Sequence, residues 1–281
     1  MRETVSVLIL LFLFFLPARS QQQDFIGRSE LTLGGGMMNY IGDLNNQSAF
    51  GTPHAAACVG MRCRLDNRLA MRVEFSRGSV SSVDYLEWRN LSFSSAIVEA
   101  AALAEFNFWN YGNGATDHPW VFYLFVGIGA FHFNPMALYT AGDGHQEWVP
   151  LQPLHTEGQG TLQYPDRRPY QLTQLMLPFG IGIKVRISKS FTYCVEYGFR
   201  KTWTDYLDDV STTYVGSDLL LDNAVDGQVA ARLADRSATQ NDVGIKRGDD
   251  SLNDWYASLR LSLGINLETI LGWTRSKKCK L

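Results

Sequence analysis

The chain has 281 residues, 46% hydrophobic and 19% charged, with a formal net charge of −3. So mild an acidic balance removes nucleic acid from the expected partners. Its four cysteines, Cys58, Cys63, Cys194 and Cys279, form no Cys-x-x-Cys pair, so the common dithiol motif is set aside.

Residues 1–20 read as a signal peptide, with Arg2 as a short basic start, Val5 to Leu16 as an apolar run and Ala18-Arg19-Ser20 as the cleavage site. An apolar run of about a dozen residues falls short of the roughly 20 that a membrane-spanning helix needs, so export is expected rather than anchoring. The mature chain is expected to begin near Gln21 as one domain, 21–281, with a net charge of −4 once Arg2, Arg19 and Glu3 are gone. No cysteine follows the apolar run, so lipoprotein processing is not expected.

Beyond the leader, hydrophobicity alternates with a period of two. Eight strands are predicted, at about 29 to 40, 54 to 65, 69 to 78, 94 to 108, 120 to 133, 172 to 187, 191 to 203 and 254 to 267. In the second, Ala57, Val59, Met61, Cys63 and Leu65 share one face and Arg62 and Arg64 the other. The third sets Leu69, Met71, Val73 and Phe75 against Ala70, Arg72, Glu74 and Ser76. The sixth opposes Leu175, Leu177, Phe179, Ile181, Ile183 and Val185 to Gln174, Lys184 and Arg186, and the seventh opposes Phe191, Tyr193, Val195, Tyr197 and Phe199 to Thr192, Cys194, Glu196 and Arg200. The eighth sets Leu259, Leu261, Leu263 and Ile265 against Tyr256, Ser258, Arg260 and Ser262. A soluble sandwich also alternates, but its outer positions hold more Lys, Asp and Asn than these strands do. The expected fold is all-β: an eight-stranded antiparallel up-and-down transmembrane barrel, apolar outside and polar inside, in an outer membrane.

Connection lengths agree with that architecture. Links at 66 to 68, 109 to 119 and 188 to 190 are short, and those at 41 to 53, 79 to 93, 134 to 171 and 204 to 253 are long. Short turns are expected on the periplasmic side and long loops outside, and an even strand number puts both termini in the periplasm. Tyr40, Phe108, Trp109, Trp120, Phe133, Trp203 and Trp255 fall near strand ends, where an aromatic girdle is expected. The third long loop carries Trp148, Leu151, Leu154 and Tyr164, enough apolar residues to expect order against the barrel mouth or a partner. Inward positions hold Arg62, Arg64, Arg72, Glu74, Glu99, Glu105, Lys184, Arg186, Glu196 and Arg260. Eight strands leave a bore that side chains can fill, so these charges are expected to pair and plug it.

No motif for chemistry emerges. His54, His118, His132, His145 and His155 have no zinc spacing, and no metal or cofactor is expected. Gly34-Gly35-Gly36 lies inside the first strand with no helix behind it, so it reads as a bend in the wall rather than a phosphate cradle. An outer-membrane lipid-modifying enzyme is the alternative to weigh, with His132, Glu147 and Ser211 as its side chains, but their spacing forces no triad. Asp205, Asp208 and Asp209 could hold calcium and read first as a solvated loop base whose aspartates cap turns. A Cys58–Cys63 disulfide is not expected, because residues five apart on one strand face opposite sides.

The segments NYIGDLN (39–45), PHAAACVGMRCRL (53–65), GIGAFHFNP (127–135), LQPLHTEGQG (151–160), YPDRRPYQLTQLMLPFGIGIK (164–184) and FRKTWTDYLDDVSTTYV (199–215) together resemble the PorG-like outer-membrane barrels of the Bacteroidota. The resemblance runs from Glu30 to Leu267, the last two segments being the most specific. It implies a non-enzymatic component of the type IX secretion system that tethers a periplasmic ring, built of a lipoprotein and its partner protein, to the outer membrane. It brings no catalytic residues. Under that reading the partner contacts are expected at the periplasmic edge, in the turn with Trp109, Tyr111 and Asn113 and the tail with Arg275, Lys277, Lys278 and Lys280, with outer-membrane lipids around the wall.

Overall fold

The computed structural model describes residues 26–45, 51–86, 88–111 and 118–278. The predicted leader at 1–20, Asn113, Cys279 and Lys280 lie outside them. The described residues form nine strands: β1 (Ser29–Ile41), β2 (His54–Arg64), β3 (Leu69–Val83), β4 (Ser92–Asn107), β5 (Trp120–Thr140), β6 (Gln146–Pro150), β7 (Thr173–Arg186), β8 (Phe191–Thr202) and β9 (Trp255–Asn266). Eight form a closed antiparallel ring in the order β4-β3-β2-β1-β9-β8-β7-β5, with β5 also pairing with β4. β6 stands outside the ring, paired with the far end of β5 as a hairpin in which Leu138 meets Trp148.

Alternation along each strand becomes a two-faced wall because successive side chains point to opposite sides. Val59, Met61, Val73, Phe75, Phe122, Leu124, Leu175, Ile181 and Leu261 stand exposed on the outside, while Arg62, Arg72, Glu74, Glu105, Lys184, Glu196 and Arg260 are buried within. The outer face is therefore greasy and the core is charged, the reverse of a soluble sheet protein. Close approach of neighbouring strands explains the glycine run in β1: a Cβ added at Gly36 would lie 2.1 Å from the Leu259 carbonyl oxygen.

The β5–β7 ladder lacks only the pairs opposite Pro178 and Leu177, between Val126↔Phe179 and Gly129↔Met176. Pro178 has no N–H to give, which accounts for both without any slip in register.

Several strands run further than the alternation suggests. β3 reaches Val83 and β4 starts at Ser92, so the connection expected at 79–93 shrinks to 84–91. β5 continues through Asn134 and Pro135 to Thr140, turning the first part of the third loop into wall. The fourth long connection holds two helices, α1 (Ser217–Asn223) and α2 (Gly227–Ala234), the latter capped by the Asp226 side chain, which accepts from Val229 N–H. β9 leads directly into α3 (Leu267–Lys278). Tyr40 and Phe133 leave the expected girdle, because their strand parity turns them inward, where both are buried.

Candidate functional site

Two buried polar layers occupy the barrel, one in its bore and one under the long connections. In the bore, Glu196 of β8 receives Arg72 through both terminal nitrogens, Arg260 at 3.2 Å and the Tyr123 hydroxyl. Glu105 of β4 faces Arg62 at 2.9 Å, Arg72 at 3.2 Å and Lys184 at 2.5 Å. Glu74 takes Arg260, Glu30 takes Arg62 at 3.3 Å, and Glu99 takes Arg200 at 3.0 Å and the Tyr256 hydroxyl at 2.7 Å. Five glutamates thus meet four arginines and a lysine, all buried. The equality matters, since an unpaired ion here would carry a desolvation penalty of several kcal/mol.

Of the expected inward residues, Arg64 and Arg186 stand apart from this lattice. Arg64 donates to the Gly27 carbonyl at 3.4 Å and Arg186 lies over the Tyr111 ring at 5.8 Å, both towards the short-turn end. Glu30 and Arg200 belong to the lattice, although only their place on the polar side of an alternating strand marks them in the sequence. Cys58, Cys63 and Cys194 are free thiols.

The second layer joins all four long connections. Glu157, from the segment after β6, accepts from the Ser211 and Thr212 amides at 3.0 Å each, the Thr212 hydroxyl at 2.6 Å and Arg247 at 2.9 Å. Asp209 accepts from the hydroxyls of Thr156 at 2.5 Å and Tyr170 at 2.8 Å, with Arg247 at 3.7 Å. Arg89, from the β3–β4 connection, is held by Asp84 and donates to the backbone oxygens of Asp43 and Arg247. Tyr40 of β1 sits beneath, against Asp208 and Asp254. Leu151 and Leu154 are buried in this cap, as their apolar character suggests, whereas Trp148 faces out.

Asp205, Asp208 and Asp209 are therefore no solvated loop base: all three are buried, Asp209 against Thr156, Tyr170 and Arg247 and Asp208 against Tyr40. Burial, with carboxylates close by, pushes the Asp205 carboxyl up to about 9 and Asp208 to about 8, while Arg247 restrains Asp209 to about 6. Among the described residues no group of three acidic, histidine or cysteine side chains is placed to hold a metal ion. The side chains considered for catalysis do not assemble. Ser211 is buried in the cap, whereas His132 points outward from the wall with its ring 3.0 Å from the Thr173 hydroxyl, and Glu147 lies on β6.

At the short-turn end, Trp109 donates to the Trp120 carbonyl at 2.7 Å and packs edge-on against that ring, with centroids 4.7 Å apart. Tyr111 turns into the bore, buried and 3.2 Å from the Thr192 hydroxyl, so it offers no face to a partner. Arg275, Lys277 and Lys278 fall in α3, but their side chains, like Lys280, lie outside the described residues.

A closed ring of eight antiparallel strands, apolar on its outer face and filled with paired charges, defines a β-barrel of the outer-membrane class. Similar solved structures include Neisserial surface protein A, at 11% identity over 85% of this chain and 96% of that one with a TM-score of 0.42. Ail of Yersinia pestis is 10% identical over 84% of this chain and 96% of its own with a TM-score of 0.40. OprG of Pseudomonas aeruginosa is 9% identical over 84% and 93%, with a TM-score of 0.35. No family model matches the sequence, and no curated protein matches it.

Proposed function

We propose that this chain is a non-enzymatic structural barrel of the outer membrane which tethers the periplasmic ring of a type IX secretion system. The observation that carries the structural role is the bore itself: ion pairs fill it from Glu30 at one end to Glu99 and Arg200 near the other. A narrow barrel so filled suits a scaffold better than a conduit. The assignment to the secretion apparatus rests on the sequence resemblance to PorG-like barrels. In this reading the short turns and both termini face the periplasm, and Trp109 with the basic end of α3 meets the ring.

Affinity purification of the tagged chain from mildly crosslinked native outer membrane, followed by mass spectrometry, tests the proposal. Co-purification of the ring lipoprotein and its partner is expected, and its loss when Trp109 is replaced by Ala would locate the contact. A barrel that emerges without ring components removes the tether and leaves the scaffold.

A further inference from the structure

Tyr40, Asp208 and Asp254 are each no more than 1% exposed. The Tyr40 hydroxyl oxygen lies 2.5 Å from Asp208 Oδ2 and 2.8 Å from Asp254 Oδ1. A phenol has one proton and can donate to only one of these oxygens. The remaining contact is then an oxygen facing an oxygen, which becomes a hydrogen bond only if one carboxyl carries a proton and donates it to Tyr40. The other carboxyl oxygens are engaged as acceptors, Asp208 Oδ1 by the Val210 amide and Asp254 Oδ2 by the Leu207 amide, both at 2.9 Å.

The surroundings cannot supply the missing charge. Asp205 approaches from the same connection, Asp43 from the one after β1, and Tyr170 from the one after β5. The cations that face the pair are Arg89 and Arg247, and each is committed elsewhere, Arg89 to Asp84 and Arg247 to Glu157 and Asp209. With the pair itself counted, acidic groups outnumber basic ones.

The geometry points to a proton-operated latch: one proton, held between Asp208 and Asp254 across the Tyr40 hydroxyl, ties the β8–β9 connection to β1 and keeps the barrel mouth shut. Loss of that proton leaves two carboxylates facing one phenol in a dry site, and the connection lifts. Burial, the largest influence, raises both carboxyls, Asp208 to about 8. In an opened connection each would ionise at an ordinary carboxylate value of about 4. Between those limits the shut form holds one more proton than the open form. Latching is therefore complete in acid and weakens about tenfold per pH unit until the shut form also ionises.

Hydrogen exchange of the Leu207 and Val210 amides in the full chain in detergent micelles, corrected for the intrinsic base-catalysed rate, reads the latch directly. From about pH 5 to about pH 8, protection is expected to fall by at least tenfold per unit, Asp205 being able to add a second proton. Asp208→Asn carries the proton's equivalent permanently, since its amide can donate to Tyr40 while its carbonyl accepts from Val210. Asp254→Asn does the same towards Leu207, so either variant serves if the other fails to fold. Both should keep the amides protected at about pH 8 and lose one proton's worth of slope, about tenfold per unit. A flat wild-type profile, or the same slope in the folded variants as in the wild type, overturns the latch. So does recovery of wild-type protection at about pH 8 on adding calcium chloride, which would make the pair a cation site instead.

Discussion

Glu196 shows how much one side chain carries when a bore is closed by ions. It is shared by Arg72, Arg260 and Tyr123, donors from three different strands. Glu196→Gln keeps the size but places an amide among cationic donors and leaves two buried guanidiniums short of a counter-charge. Removing one partner from a buried pair costs about 3–5 kcal/mol. A loss of that size is expected in denaturant unfolding of the micelle-bound barrel, and an unchanged midpoint would mean that the arginines find other acceptors. The acids of the mouth illustrate what a sequence hides at this scale. Asp208 reads as an ordinary loop aspartate and Asp254 as the first residue of a strand, because their partner, Tyr40, stands 168 and 214 residues away along the chain. No local pattern connects them. The bore residues are legible for the opposite reason: a charge at an even step in an apolar strand has nowhere to point but in.

Among the elements, β1 has the tightest neighbours. Gly36→Val would drive a Cβ to 2.1 Å from the Leu259 oxygen and within 2.8 Å of the Arg260 Cα, backbone atoms that cannot swing away. The expected result is failure to reach the folded form that resists unboiled electrophoresis, and normal folding would show that β1 and β9 can part locally. The alternation placed most strands within a few residues, because one face had to meet lipid and the other the bore. It failed where the wall rises past the apolar band. Asn134 and Pro135 read as the start of a loop, yet β5 runs on to Thr140, since β6 and β4 both pair with it there. α1 and α2 were illegible for a related reason: each is short, at seven and eight residues, too few turns for a helical repeat to stand out, and is held by burial of Leu220, Val229, Ala230 and Leu233 in the cap.

For the whole molecule, five buried acids meeting five buried bases fill the middle of the bore with mutually paired ions, Arg64 and Arg186 lying beyond them towards the short-turn end. Purified barrel in planar bilayers is expected to give no single-channel steps at ordinary salt. Stable steps would mean that the ion-pair lattice opens and would favour transport over scaffolding. The outer-membrane class follows from the wall alone, without the loops, which is why it was visible in the chain while the cap and its buried acids were not.

The closing seam between β1 and β9 joins residues 30–41 to 255–266, across almost the entire described chain. Its timing follows from that span. Until the last strand arrives, β1 and β8 each present a row of bare amides and carbonyls that hydrocarbon cannot satisfy. The wall can therefore be finished only in a late, all-or-nothing step, the kind of distant pairing that slows folding. Asp254 immediately precedes that strand, so the arrival that shuts the cylinder also brings the acid beneath Tyr40. Completion and sealing are one event, and a chain stalled short of it would have neither a wall nor a lid.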